Sequence, residues 1–127
     1  MRRFSDIAYS VMRIIVGFLF ACHGAQKLFG VLGERRELHA VQGLVAGLIE
    51  FGAGVAVAIG IFTAIAAFIA SGEMAVAYFK AHAPHGFWPI LNHGELAVVY
   101  CFVFLYISTQ GEGVLSFQRL AGKRSPK

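Results

Sequence analysis

Ionisable side chains stand inside every apolar segment of this sequence: Arg13, His23 and Lys27 in the first, Glu50 in the second, Glu73, Lys80 and His82 in the third, and Glu95 in the fourth. Imidazole, ammonium and carboxyl groups of this kind transfer protons, pair as ions and hydrogen-bond ligands. A single charge at mid-bilayer costs about 2.5–3.5 kcal/mol, so such groups pair, reach for the interface or carry function. His23 and Lys27 are four residues apart, on one side of a helix, and Glu73 and Lys80 are seven apart, again on one face. Lys27 and Lys80 lie near segment ends, where long stems can also carry the charge to lipid headgroups. Glu50 and Glu73 fall near mid-segment and are too short to reach the interface. They are expected to be neutral, paired with Arg13, His23 or a lysine, or in contact with a ligand or water. Arg13 reads as an anchor or ion-pair partner, and His85 and His93 as interfacial residues.

Other chemistries find little support. His23, His82 and His93 with the glutamates offer donors for a metal or haem, but no HxxxH or ExxH pair occurs on one helix, so no metal site is assigned. Cys22 and Cys101 each sit in an apolar run outside any CxxC pair and read as packing. There is no P-loop, GxGxxG or nucleophile elbow. The net charge of +4 comes largely from the termini (Arg2, Arg3, Arg119, Lys123, Arg124, Lys127), which suits topology signals and anionic lipid rather than nucleic acid.

The elements that must position these groups are apolar helices. The 127 residues are 57% hydrophobic and only 14% charged, with mean hydropathy +0.67, a composition that points to the bilayer. Four segments, 7–29, 41–60, 62–82 and 94–109, are expected to be helical, and at about 1.5 Å per residue each approaches the ~30 Å hydrocarbon core, the last falling short. The fold class expected is all-α, an integral membrane four-helix bundle forming one domain over 1–127. The first segment lacks a small-x-small cleavage site and reads as a retained helix. Gly43, Gly47, Glu50 and Gly54 form one small-residue stripe, and Arg13, Gly17, Phe20, Gly24 and Lys27 another, as in closely packed helices. Gly60-Ile61 forms a very tight turn. The connection "AHAPHGFWPILNH" carries Pro84, Pro89 and the Phe87-Trp88 pair of an interfacial belt. Arg35 and Arg36 in the first loop are offset by Glu34 and Glu37, so the positive-inside rule places both termini in the cytoplasm. That topology gathers His23, Lys27, Lys80, His82, His93 and Glu95 into one outer polar layer, with Glu50 and Glu73 beneath it.

The stretches "GFLFACHGAQKLFG", "GLIEFGAGVAVAIGIFTAIAA" and "AVAYFKAHAPHGFWPILNHGELAVVYCFVFLYISTQGEG" resemble the DoxX family of small bacterial membrane proteins. The likeness covers about Ser10 to Phe117. Glu112 departs from the family pattern where a proline is common, and Gln118 where an acidic residue is usual; both are expected outside the buried layer. The resemblance implies a multi-pass inner-membrane protein whose motif positions are His23, Lys27, Glu50, Glu73, Tyr78, His82, Trp88, Asn92 and Glu95. It also implies a link to respiratory and sulfur redox chemistry, as in the thiosulfate:quinone oxidoreductase subunit DoxD, and to oxidative-stress defence. A quinone fits this set, with His23, Lys27 or Tyr78 donating to its carbonyls and Glu50 and Glu73 delivering protons; a soluble redox enzyme would then supply electrons. Two alternatives stand beside it: a small-solute or proton transporter or sensor, which would need a homo-oligomer, and a non-catalytic accessory protein that recruits redox enzymes.

Overall fold

The computed structural model describes residues 2–31 and 41–122, apart from the side chains of Arg2 and Gln42. The loop residues Glu34, Arg35, Arg36 and Glu37 and the tail residues Lys123, Arg124 and Lys127 lie outside the described residues. Among the described residues six α-helices follow in order: α1 Arg2–Phe29, α2 Val41–Ile59, α3 Thr63–Ala77, α4 Pro89–Asn92, α5 Glu95–Gln110 and α6 Phe117–Leu120. No strand occurs among the described residues.

Close approach of α1 and α2 follows from their glycines. A Cβ built on Gly17 would sit 2.5 Å from the Ala58 nitrogen, and one on Gly54 2.5 Å from the Ala21 nitrogen. Gly24 likewise lies directly on the backbone of Phe51. The obstacle in each case is main chain, which cannot swing aside, so only glycine lets these helices meet. Gly54→Leu is therefore expected to lower stability in detergent by roughly 3 kcal/mol, the upper end for overpacking. Gly52→Ala, with nothing near its added Cβ, should leave the melting temperature unchanged; thermal unfolding of the two variants checks the contrast.

Small residues do the same for α3, whose buried side chains are Thr63, Ala66, Ala67, Ala70, Ser71 and Met74. They pack on the α5 face of Ala97, Tyr100, Phe104 and Ile107, and Ser71 Oγ donates to the Cys101 carbonyl at 2.8 Å. Between the α1–α2 and α3–α5 pairs lies an aromatic trio. Phe20 meets Tyr100 and Phe104 at centroid distances of 5.2 and 4.7 Å.

Outside these seams the helices present large apolar side chains: Phe18, Ile65, Phe68 and Phe102 are each more than 60% exposed. A surface of this kind on every principal helix is the lipid-facing surface of an all-α membrane protein. Arg3–Phe29 and Thr63–His85 are each long and apolar enough to cross a membrane, whereas the apolar parts of the other two, Gly43–Ile59 and Glu95–Gln110, are shorter.

Two helix ends differ in character from the sequence expectation. The first helix starts at Arg2 rather than at residue 7, because its polar opening residues propagate a helix as readily as apolar ones. The third changes character at its end, widening to a π-turn over Tyr78–His82 and then tightening to a 3-10 turn over Ala83–His85. Pro84 cannot donate the next helical hydrogen bond, and the Ala83 N–H reaches back five residues to the Tyr78 carbonyl instead. Glu112, expected outside the polar layer, lies at the other end of the bundle and is 6% exposed there, because the turn after α5 folds back beneath Tyr9 and Ser10.

That fold-back closes one end of the bundle. Gly60, at φ 82°, ends α2 in the left-handed region, and a Cβ there would fall 2.7 Å from Arg13 Nη1. The Phe62 N–H donates to Gln118 Oε1 at 3.2 Å, and the Leu115 N–H to Ser10 Oγ at 3.2 Å. The start of α1 and the C-terminal segment thus share one end.

Candidate functional site

Lys27 sits in the last turn of α1, Glu50 midway along α2, and Glu73 late in α3. Glycine contact between α1 and α2 brings the first two together: Lys27 Nζ donates to Glu50 Oε2 at 2.6 Å. The Glu50 side chain is 1% exposed and that of Lys27 29%. Glu73 lies within electrostatic reach of both Glu50 and Lys27. Among the described residues Glu50 Oε1 and Glu73 Oε1 are buried without a hydrogen-bond partner.

Aromatic rings border the cluster. His23, one turn before Lys27, meets Tyr100 edge-on at 6.0 Å between centroids, and Tyr100 neighbours Glu50 and Cys22 electrostatically. Tyr100 is 7% exposed. Its signal in the sequence is a lone hydroxyl in the apolar run "AVVYCFVF".

The structure does not gather the expected outer layer into one pocket. Tyr78, His82 and Asn92 form a separate knot around the connection between α3 and α5. Buried Asn92 donates from Nδ2 to Tyr78 Oη at 3.1 Å and to the Gly86 carbonyl at 2.9 Å, and accepts from the Gly94 N–H at 2.8 Å. His82 Nδ1 lies 3.1 Å from the Asn92 carbonyl oxygen, and the Tyr78 hydroxyl 3.3 Å from that of Phe87. Every polar atom of the Asn92 amide is used, so this knot shapes the loop. Asn92→Ala is expected to cost about 2 kcal/mol by leaving the Gly94 N–H and the Gly86 carbonyl unpaired; a lowered melting temperature with faster proteolysis between residues 82 and 95 checks it. Lys80, Trp88, His93 and Glu95 are exposed. Among the described residues no group of three His, Cys, Asp or Glu side chains is arranged to hold a metal ion.

At the opposite end, Arg13 is fully buried. Its Nη1 donates to the Val57 carbonyl at 2.7 Å and more weakly to that of Ala58, while Nη2 donates to the Leu115 carbonyl. It ties the end of α2 to the C-terminal segment. A groove of about 890 Å³ opens beside this end, bordered by Asp6, Tyr9, Tyr106, Gln110, Glu112 and Arg119 among others.

The sequence model of the DoxX family matches residues 8–83. A protein of Haemophilus influenzae described as uncharacterized is 41% identical over 109 residues, covering 80% of this chain and 81% of that protein. The Escherichia coli inner membrane protein YqjF is 28% identical over 131 residues, covering 98% of this chain and 99% of YqjF. No solved structure matches.

Proposed function

The chain belongs to the DoxX family of membrane proteins, and from that premise we propose that it is an inner-membrane, redox-associated subunit in which Lys27, Glu50 and Glu73 exchange protons with a quinone-like ligand. The observation that carries this reading is the 2.6 Å contact of Lys27 with a fully buried Glu50 that Glu73 also reaches. Three helices contribute one side chain each. Interconversion of quinone and quinol moves two electrons and two protons. The side chains handle the protons, and a redox-enzyme partner exchanges the electrons. The half-exposed side of Lys27 and the imidazole of His23 provide donors towards the ligand.

Inner-membrane placement is supported by the likeness to YqjF. The start of α1 and the C-terminal segment share one end, and Arg3 and Arg119 there favour the cytoplasmic side. Reporter fusions at either terminus should be active only as cytoplasmic reporters.

The test of the site is direct. Protein purified with its native lipids should release a quinone into organic solvent, and short-tailed quinones should raise its melting temperature. Glu73→Gln should abolish both effects while the protein stays folded. Extracts without quinone, together with no thermal shift on adding it, would sink the proposal.

A further inference from the structure

The helices that meet at the Asn92 knot differ in length. Apolar helix runs for 23 residues over Thr63–His85, about 34 Å, whereas α5 has 16 residues and reaches about 24 Å of the ~30 Å hydrocarbon core. Their groove ends are level, since Ala64 and Thr109 border the same groove. At the far end Gly94, just before α5, is pressed against the third helix. A Cβ there would lie 2.7 Å from both Tyr78 Cε1 and His82 Cβ. The groove end is polar, bordered by Asp6, Gln110, Glu112 and Arg119, and marks a headgroup level. The depth that α5 lacks, about 6 Å, therefore falls at the far end, where residues 83–94 connect the two helices.

That connection has the surface for lipid. Phe87, Trp88, Ile90 and Leu91 are each between 63% and 80% exposed, a patch that water disfavours. It continues into Phe79 and Leu96, exposed on the flanking helices. Non-helical backbone near the hydrocarbon must pair its polar groups within the protein. The Asn92 amide takes up the Gly86 carbonyl and the Gly94 N–H, and the Leu91 and Asn92 N–H groups both donate to the Trp88 carbonyl at 2.9 Å. We propose that the connection between α3 and α5 is a lipid-docking surface, seated at the boundary of headgroups and acyl chains. Phe87, Trp88, Ile90 and Leu91 lie among the chains, and the four residues of α4, about 6 Å of helix, fill the depth that α5 lacks. Lys80, His93 and Glu95, exposed at the same end, hold the connection at the boundary and keep it from sinking further. Lipid is the occupant, rather than a second copy, because the patch is continuous with lipid-facing flanks and matches the missing depth.

Trp88 is the single tryptophan of the chain, so its fluorescence reports on this surface without any substitution. The full-length protein is reconstituted in phosphatidylcholine vesicles with bromine either high on the acyl chains or near their ends, or with iodide on both sides of the membrane. Bromine high on the chains is expected to quench Trp88 at least about threefold more than bromine near the ends, as for a ring about 5–10 Å below the headgroups. Iodide should quench it at least about fivefold less than it quenches a free tryptophan amide, as for a ring withdrawn from water. Iodide quenching equal to that of the free amide overturns the proposal by placing the ring in water. Quenching by neither reagent overturns it in favour of a protein partner or a second copy covering the patch. Strongest quenching by bromine near the chain ends overturns the boundary seat. Ile90→Asn/Leu91→Asn changes two exposed side chains that the fold does not bury, and should raise iodide quenching of Trp88 at least about twofold by weakening the apolar anchor. Unchanged quenching in that variant would overturn the part assigned to α4.

Discussion

Lys27→Met is expected to destabilise the protein by about 3–5 kcal/mol, the cost of leaving a buried charge without its partner. Glu50 is 1% exposed and accepts from Lys27 at 2.6 Å, so removing the ammonium strands the carboxylate in an apolar surround. Methionine keeps the length and the packing of the stem, which isolates the charge as the cause. The double variant Lys27→Met/Glu50→Gln should recover more than half of the loss, since a neutral amide no longer needs the cation. Thermal and denaturant unfolding in a fixed detergent measure both, as a double-mutant cycle. A lysine that merely reached for headgroups would give less than about 1 kcal/mol in the single variant, and simple additivity in the double would dismiss the pair.

The same pair shows how much of the site was legible in the sequence. Glu50 announced itself because a short carboxyl group in mid-segment has no way to reach water, and the Gly47 and Gly54 stripe showed that it faced another helix. Which base would meet it was not legible: Arg13, His23 and a lysine were all open, and the choice depends on the register of α1 against α2, fixed by Gly17, Gly24 and Gly54 in backbone contact. The outer polar layer illustrates a different failure. Ordering residues by depth along each helix says nothing about azimuth, so Lys80 and Glu95, at suitable depth, turned out exposed. Asn92 and Tyr78 came forward through family likeness, but their use in closing a loop depends on hydrogen bonds to Gly86 and Gly94 that no spacing encodes. The π-turn at Tyr78–His82 was hidden too, because a proline marks where a helix must change and not how it will.

Arg13→Ala is expected to cost about 3–5 kcal/mol, the sum for two charge-assisted hydrogen bonds in a buried site. The guanidinium is 0% exposed and spans from the Val57 carbonyl, in the last turn of α2, to the Leu115 carbonyl beyond α5. Its place on α1 and its two ends on other segments make it the clamp that closes this end of the bundle. Loss should therefore be local before it is global. Proteolysis between residues 111 and 122 should accelerate, with Ser10 losing its hold on the Leu115 N–H, while the 2.6 Å contact of Lys27 and Glu50 at the far end persists. Arg13→Lys discriminates the cause. A lysine keeps the charge, but its single nitrogen cannot serve both carbonyls in the arrangement of the guanidinium fork, so it should recover less than half of the stability. Full recovery by lysine would mean that charge alone matters, through acidic neighbours such as Glu112, which lies within electrostatic reach of the guanidinium. Ligand affinity measured on the same variants should stay within about twofold of the parent, because sites this far apart without shared partners act additively.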